Sequence, residues 1–253
     1  MPKVWIYALC YNEAYMMPYF LRHYTSFAEK VIIYDAQSTD GTRGLVAANP
    51  RAELRDFTLC QGIDDNIFVR FVNEQYKEAR GQADWVIWVD CDEFVYHPHL
   101  LEVLREYQSV GVNIVRAKGY LMVSDEPAKG EGQIYDEARL GLPDRMACKP
   151  VIFRPSLEQI EFSTGRHGCE VTEDAVWALT TTIKLLHYRY FGKQYLLDRN
   201  AKQFSRLSEA NKTAYLGFQV WPDYNDEWGP KWYDEYARVV RMDVVSDQVS
   251  PIG

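Results

Sequence analysis

The sequence predicts an α/β fold with a mostly parallel sheet flanked by helices, and three observations favour this class. Short apolar runs rich in β-branched and aromatic residues recur in the first part of the chain, as expected for buried strands. Segments with apolar residues at helical spacing separate several of these runs. The resulting order, β-α-β-β-α-β, is typical of parallel strands covered by helices.

The first strand is expected over residues 4–9, and residues 10–13 form the loop at its carboxyl end. A helix should follow, because Met17, Phe20, Leu21 and Tyr24 recur on one face. Pro18 is compatible with this helix only in its first turn. The second strand covers residues 31–34 and runs into residues 35–42, a loop dense in turn and cap residues.

Further elements follow with less regularity. Strands are predicted over residues 52–57, 85–89, 151–153 and 183–190, and helices over residues 67–80 and 193–212. Residues 130–144 are rich in Gly, Asp and Glu and predict a mobile loop. We expect one domain over residues 1–212 and an aromatic-rich extension, residues 213–253, packed on that domain.

Composition excludes some classes of function. The chain has 253 residues with 47% hydrophobic content, enough for a sizeable core. Its net charge of −8 argues against a nucleic-acid-binding surface, which needs a basic face. The five cysteines form no Cys-x-x-Cys pair, which indicates free thiols in a reducing compartment. With no signal peptide and no membrane-spanning apolar run, we expect a cytoplasmic protein without a transmembrane segment, and peripheral membrane association stays open.

Three acids follow the apolar strand over residues 85–89, namely Asp90, Asp92 and Glu93. Open α/β sheets bind their ligands at the carboxyl ends of strands. Two carboxylates one residue apart are suitable ligands for Mg²⁺ or Mn²⁺, whose coordination phosphate oxygens often complete. The alternative is that these acids only end the strand or cap the next helix. Their context favours a metal-dependent enzyme that acts on a phosphorylated, nucleotide-linked substrate.

Three motifs then occur in a familiar order: Tyr11-Asn12-Glu13-Ala14, Asp35 with Ser38-Thr39-Asp40-Gly41-Thr42, and Asp90-Cys91-Asp92-Glu93-Phe94. In these motifs the chain resembles the family 2 glycosyltransferases of the GT-A fold, in particular their small bacterial and viral branch. A looser match extends through Lys149-Pro150, Gly165-Arg166-His167-Gly168 and His187-Tyr188-Arg189-Tyr190. The resemblance implies a metal-dependent inverting transfer of a sugar from a nucleoside diphosphate to a hydroxyl of a glycan or glycolipid, in surface polysaccharide synthesis.

The resemblance also implies roles in donor binding. Asp35 would accept hydrogen bonds from the nucleobase, while Tyr11, Asn12 and Glu13 border the nucleotide. A carboxylate only accepts, so it can read the N–H edge of uracil or thymine. Asp40 is instead favoured as the cap of the following helix. Lys149 would hold a phosphate or the acceptor, unless it is simply a surface residue.

The implied metal is Mn²⁺ or Mg²⁺. Asp90 and Asp92 are assigned to the metal–diphosphate site, with Asp92 the more direct ligand and Asp90 alternatively touching the ribose. His187 is nominated as the third protein ligand, and His167 is its competitor. If His167 is not a ligand, it would face the donor sugar or the acceptor. Glu93 would support the metal ligands or orient the acceptor.

An inverting transfer needs a base that takes the proton of the acceptor hydroxyl. Thr172-Glu173-Asp174 resembles the family's Thr-Glu-Asp base motif, although the arginine pair that follows it in many members is missing. Asp174 is therefore the first candidate for the base. The alternatives are Glu173, Glu137 and Asp136.

Two other functions compete with this interpretation. A sugar-phosphate nucleotidyltransferase should carry an early Gly-rich, basic loop, and residues 10–13 contain neither feature. A catalytically silent glycan-binding or scaffolding module would not need the acid cluster. The aromatic residues of the C-terminal extension are expected to pack on the domain, with sugar, partner or membrane contact as alternatives.

Overall fold

The computed structural model describes residues 1–58, 62–224, 227, 229–238, 241–246 and 248–249. The chain divides into two compact units. The first contains Met1–Thr58, Asn66–Gly119 and Arg145–Leu186, and the second contains Leu59–Asp65, Tyr120–Asp144 and His187–Gly253. The predicted boundary at residue 212 falls inside the second unit.

The strands, in chain order, are β1 (Val4–Cys10), β2 (Lys30–Asp35), β3 (Ala52–Asp56), β4 (Trp85–Asp90), β5 (Glu93–Tyr96), β6 (Ile114–Val115), β7 (Lys118–Ser124), β8 (Leu140–Pro143), β9 (Ile152–Phe153), β10 (Ile160–Phe162), β11 (Cys169–Val171), β12 (Lys184–Phe191), β13 (Met242–Asp243) and β14 (Gln248–Val249). The α-helices are α1 (Met17–Tyr24), α2 (Thr42–Ala47), α3 (Asp65–Gln75), α4 (Leu100–Ser109), α5 (Ile134–Glu137), α6 (Lys193–Phe204), α7 (Glu209–Thr213) and α8 (Gly229–Arg238). Short 3₁₀ helices cover Tyr76–Ala79, Thr164–Arg166 and Phe218–Val220.

The first unit is built on a sheet of order β3-β2-β1-β4-β9-β6. Strands β1 to β4 pair in parallel, and β9 joins β4 in the antiparallel direction. The predicted α/β class with a mostly parallel sheet flanked by helices is therefore confirmed. Its central strands read as almost continuous apolar runs because both faces of the sheet are covered.

Aromatic residues fill the core of this unit. The rings of Tyr7 and Trp88 stack with centroids 4.9 Å apart, and neither residue is more than 1% exposed. Helix α1 buries Phe20 and Tyr24. Pro18 lies in the first turn of α1, as predicted. Burying each such side chain stabilises the fold by about 1.5–3 kcal/mol.

The second unit contains a sheet in which the order is β14-β13-β8-β7-β12. The predicted mobile loop over residues 130–144 is wrong, because α5 and β8 lie within it. Gln133 and Asp136 form a capping box at the start of α5. Glu137 accepts hydrogen bonds from the backbone amides of Lys129 and Gly130. Hydrogen bonding to these acidic side chains, rather than apolar periodicity, orders this segment.

The predicted single helix over residues 193–212 is also wrong, since it is divided into α6 and α7. Between them, the backbone of Ile63 donates to Arg206 O at 2.6 Å and accepts from the amide of Ser208. The Ser208 hydroxyl then caps α7 by accepting from the amide of Asn211. A pairing distant in sequence thus interrupts the helix, and no local pattern in residues 193–212 reveals it.

In the aromatic C-terminal region, Tyr215 and Trp221 stack with ring centroids 4.8 Å apart. Tyr215 is 68% exposed, so this pair is only partly packed away from solvent. Among the described residues, no helix combines the length and apolar character needed to cross a bilayer.

Candidate active site

Three predicted motifs follow strands whose carboxyl ends lie side by side in the first sheet. Strand β1 lies between β2 and β4, and its Cys10 is in register with Asp35 of β2. On the other side, Leu9 is in register with Asp90 of β4. Because all three strands run in parallel, the loops that follow them emerge next to one another. Open α/β sheets bind their ligands at these carboxyl ends of the strands.

Hydrogen bonds join the first two of these loops. The amide of Asn12 donates to Ser38 Oγ at 2.7 Å, and the amide of Thr39 donates to Asn12 Oδ1 at 2.6 Å. The amide of Glu13 donates to Thr42 Oγ1 at 2.8 Å. Asn12 adopts a left-handed conformation with φ of 52°, which asparagine tolerates better than most residues. The hydroxyl residues of the second loop therefore fix the shape of the first.

Asp40 supports the start of α2, although the N-cap residue is Gly41 and not Asp40 as the sequence favoured. Its Oδ1 accepts from the backbone amide and the hydroxyl of Thr42, the first residue of α2. Its Oδ2 accepts from the amide of Ala14 at 3.1 Å. Gly41, between Asp40 and Thr42, has a φ of 96°, which explains the glycine at this turn. Asp40 thus holds the helix start and the neighbouring loop together.

Asp35 is fully buried and well bonded. Its Oδ2 accepts from the Ser38 amide at 3.0 Å and from Arg43 Nη1 at 2.7 Å, and its Oδ1 accepts from the Cys10 thiol at 3.4 Å. Burial by itself would raise the pKa of Asp35, but these donors outweigh it and lower the pKa. Since the side chain is 0% exposed, a nucleobase could reach it only if the second loop moved. Its role in base recognition stays a prediction.

Five charged residues gather at the end of β4: Asp90, Asp92, Glu93, Lys149 and Arg166, here called the Asp90 cluster. Arg166 Nη2 lies 2.5 Å from Asp90 Oδ1, and Lys149 Nζ lies 3.5 Å from Asp90 Oδ2. Lys149 Nζ is also 2.6 Å from Glu93 Oε1. The other oxygen of Glu93 accepts from the amide of Asp90 at 3.1 Å. Asp92 is buried, at 3% exposure.

Opposite charges favour the ionised forms of Asp90 and Lys149. Burial alone would raise the pKa of Asp90, but the positive charges of Arg166 and Lys149 lower it well below its usual range. Burial alone would lower the pKa of Lys149, and the charges of Glu93 and Asp90 raise it. These shifts stabilise the charged forms on both sides. The cluster can therefore present cations and carboxylates together to a charged ligand.

Arg166 is the residue of this cluster whose role the sequence does not reveal. It reaches Asp90 from a turn in which Gly165 and Arg166 both have positive φ, 69° and 57°. A Cβ on Gly165 would lie 2.7 Å from His167 Nε2, so the ring would have to shift, and the positive φ also favours glycine there. The looser match to the family includes Gly165-Arg166-His167-Gly168 but assigns no role to Arg166.

His167 lies beside this turn. Its Nδ1 is 2.7 Å from Met146 O. Burial, followed by the charge of nearby Lys149, lowers the pKa of the imidazole. The neutral ring that results can bond to a carbonyl or to a ligand. Its predicted place at the donor sugar or acceptor stays a prediction.

The carboxylates of Asp90 and Asp92 suit a hard divalent cation by their chemistry, since Mg²⁺ and Mn²⁺ prefer oxygen ligands. Both oxygens of Asp90 are, however, already paired with Lys149 and Arg166. Within the described ranges, no group of three or more His, Cys, Asp or Glu side chains is arranged to hold a metal. His187 lies in β12 and belongs to the second unit, and its role as a ligand stays a prediction.

The candidate bases make local contacts. Asp174 accepts from the Thr172 hydroxyl at 2.5 Å and from the amide of Glu158 at 3.3 Å. Its neighbour Glu173 is exposed. In the second unit, Glu137 bonds to the Lys129–Gly130 backbone and Asp136 caps α5. The contacts of Asp174 stabilise a turn, and its assignment as the base stays a prediction.

No protein-family model matches the chain, and no curated protein matches it. Among solved structures it is similar to Staphylococcus aureus TarS 1–349 in complex with UDP-GlcNAc, at 14% identity and a TM-score of 0.47, over 88% of this chain and 71% of that one. TarS 1–349 alone aligns at 15% identity and a TM-score of 0.43, over 85% and 69% of the two chains. Glucosyl-3-phosphoglycerate synthase from Mycobacterium tuberculosis, with Mn²⁺, UDP and phosphoglyceric acid, aligns at 18% identity and 0.32, over 47% and 43%. At these values the similarity carries no functional conclusion.

Proposed function

We propose that this protein is a glycosyltransferase of the GT-A type that moves a sugar from a nucleoside diphosphate to a hydroxyl of a glycan or glycolipid. One observation carries the proposal. The register of β1 with β2 and β4 brings the Asn12, Asp35 and Asp90 motifs to one edge of the sheet. The family that the sequence resembles uses these motifs, in this order, for its donor.

In this proposal the first two loops receive the nucleoside. Tyr11, Asn12 and Glu13 lie in the first loop, and Asp35 anchors the second through Ser38 and Arg43. With its present donors in place the pKa of Asp35 is lowered, so its carboxylate offers a base only acceptor oxygens. The hydrogen bonds between the loops hold the first loop in shape before binding, whereas the second loop must move for a base to reach Asp35.

The Asp90 cluster would receive the diphosphate. Lys149 and Arg166 supply positive charge, and a guanidinium can form paired hydrogen bonds to phosphate oxygens. Asp90 and Asp92 would hold Mg²⁺ or Mn²⁺, which when bound neutralises the leaving diphosphate. Glu93 is 0% exposed and paired with Lys149, which supports a role in positioning that lysine rather than contacting the acceptor.

The transfer itself is proposed to be inverting, with Asp174 as the base and Glu173 as its alternative. The base must lie within hydrogen-bond reach of the acceptor hydroxyl, directly or through one water. A cytoplasmic enzyme of surface polysaccharide synthesis, acting on a glycan or lipid-linked glycan, fits the net negative charge and the free thiols.

The test incubates the protein and Mn²⁺ with a panel of nucleoside diphosphate sugars and measures released nucleoside diphosphate. A parallel incubation supplies nucleoside triphosphates with sugar 1-phosphates and measures released pyrophosphate. The proposal predicts metal-dependent release of nucleoside diphosphate with one preferred base. Pyrophosphate release from the nucleoside triphosphate incubation would favour a nucleotidyltransferase, and release of neither product would favour a silent binding module. A thermal-shift series with nucleoside diphosphates would identify the base first, because a bound ligand raises apparent stability by mass action.

A further inference from the structure

Asp90 cannot bind a metal while keeping its present partners. Each of its two oxygens faces a cation, Arg166 at 2.5 Å and Lys149 at 3.5 Å. A divalent ion needs at least one of these oxygens as a ligand, and its own charge repels both side chains. Metal binding at Asp90 must therefore compete with the ion pairs that the free protein makes.

The two cations are not held equally. Lys149 is 6% exposed and keeps Glu93, at 2.6 Å, as a second carboxylate if Asp90 turns away. Arg166, which is 11% exposed, makes the closer contact with Asp90, at 2.5 Å compared with 3.5 Å for Lys149. A metal at Asp90 would therefore compete chiefly with Arg166, while Lys149 keeps its closer pair with Glu93. Arg166 is the cation that a metal would displace.

The backbone conformation at Arg166 is consistent with a side chain that moves away from Asp90. Arg166 has a φ of 57°, in the left-handed region that is unfavourable for residues other than glycine. Residues held in such conformations concentrate at sites that bind ligands or switch between two arrangements. Its guanidinium also has the planar fork that binds phosphate oxygens in pairs.

We propose that Arg166 is a displaceable counter-ion: it neutralises Asp90 in the free protein and turns to the donor diphosphate when a divalent cation takes Asp90. The first half of this inference concerns the free protein. Only the second half, which concerns the diphosphate, rests on the proposed function. In its first half, Arg166 lowers the affinity for the metal alone. In its second half, Arg166 raises the affinity for a nucleoside diphosphate in the presence of the metal.

The test uses Arg166→Gln in the full chain, because the two halves predict opposite shifts for one variant. The affinity for Mn²⁺ alone, measured from free Mn²⁺ by electron paramagnetic resonance, should rise by about fivefold. The affinity for UDP at saturating Mn²⁺, measured by calorimetry, should fall by about tenfold. Arg166→Lys keeps the charge without the fork, so its Mn²⁺ affinity should stay near the original while UDP binds more weakly.

Arg51→Gln is the matched control, since Arg51 donates to Thr25 O at the surface and should change neither affinity. If Arg166→Gln binds Mn²⁺ no more tightly than the original protein, or if neither protein binds Mn²⁺, the inference is overturned. If Mn²⁺ binds more tightly to the variant but no nucleoside diphosphate binds to the original protein, the counter-ion role stands and the proposed function fails. A thermal melting curve for each variant, compared with that of the original protein, excludes loss of folded structure as the cause.

Discussion

Lys149 Nζ and Glu93 Oε1 form an ion pair 2.6 Å long in which neither side chain is more than 6% exposed. Glu93 also accepts from the amide of Asp90, so this pair fixes the end of β4. Removing one member of a buried pair leaves an uncompensated charge. The stability of the site therefore depends on both partners.

Glu93→Gln should lower the free energy of unfolding by about 3 kcal/mol, because Lys149 would lose its closest carboxylate inside the protein. Urea denaturation measures the change. The matched control is Glu53→Gln, whose partners Lys30 and Arg55 lie nearer the surface. The control should cost about 1 kcal/mol or less. Equal losses for the two variants would show that the Lys149–Glu93 pair contributes no more to stability than a pair near the surface.

His23 predicts a dependence of stability on pH. It is 5% exposed, its Nε2 lies 3.0 Å from Val95 O, and burial lowers its pKa to about 4. Between about pH 6.5 and 4 the unfolded chain takes up a proton that the folded chain refuses, so stability present above pH 6.5 is lost as the pH falls. The loss is on the order of 3 kcal/mol.

The measurement is urea unfolding at several pH values for the original protein and for His23→Gln. The variant should be less stable near neutral pH and should lose less stability on acidification. His99→Gln, at an exposed position, is the control and should keep the original slope. A variant of His23 whose slope is unchanged would contradict this account.

Asp35→Ala should weaken donor binding more than it slows the chemical step, because the proposed contact to the base is the same in the ground and transition states. It should also destabilise the second loop, since Arg43 and the Ser38 amide lose their acceptor. Steady-state kinetics with the preferred donor would show a raised KM with kcat little changed. Unchanged donor affinity with a depressed kcat would remove Asp35 from the nucleobase site.

Asp92→Asn should abolish metal-dependent turnover and leave the fold intact. The carboxylate is buried at the end of β4, where its charge serves the proposed cation. Turnover against Mn²⁺ concentration, with circular dichroism as the check on folding, measures this. Asp223→Asn, at an exposed position, is the control. Near-normal turnover of Asp92→Asn at saturating donor would show that the metal assignment is wrong.

Local sequence patterns predicted the first sheet well because its central strands, β1, β2 and β4, are almost entirely buried. The apolar run at Trp85–Asp90 and the helical spacing of α1 each determine one element without help from distant residues. The break between α6 and α7 and the order within residues 130–144 were missed. They depend on a backbone pairing with Ile63 and on carboxylates that accept from nearby amides.

The sequence motifs predicted the part of the site that lies at the ends of β1, β2 and β4. Asn12, Asp35 and Asp90 follow adjacent parallel strands, so strand order alone brings them together. Arg166 lies far from these motifs in the sequence. A turn in which Gly165 and Arg166 have positive φ brings its guanidinium to Asp90. The sequence likewise gave no sign that Asp35 would be enclosed by Arg43 and Ser38.

A crystal structure with Mn²⁺ and the preferred nucleoside diphosphate is the most direct measurement of the central claim. The account predicts the diphosphate beside Asp90, Asp92, Lys149 and Arg166, with the base against the loops that carry Asn12 and Asp35. It also predicts that Arg166 has left Asp90 for a phosphate oxygen. A nucleotide bound away from the carboxyl edge of β1, β2 and β4 would contradict the account.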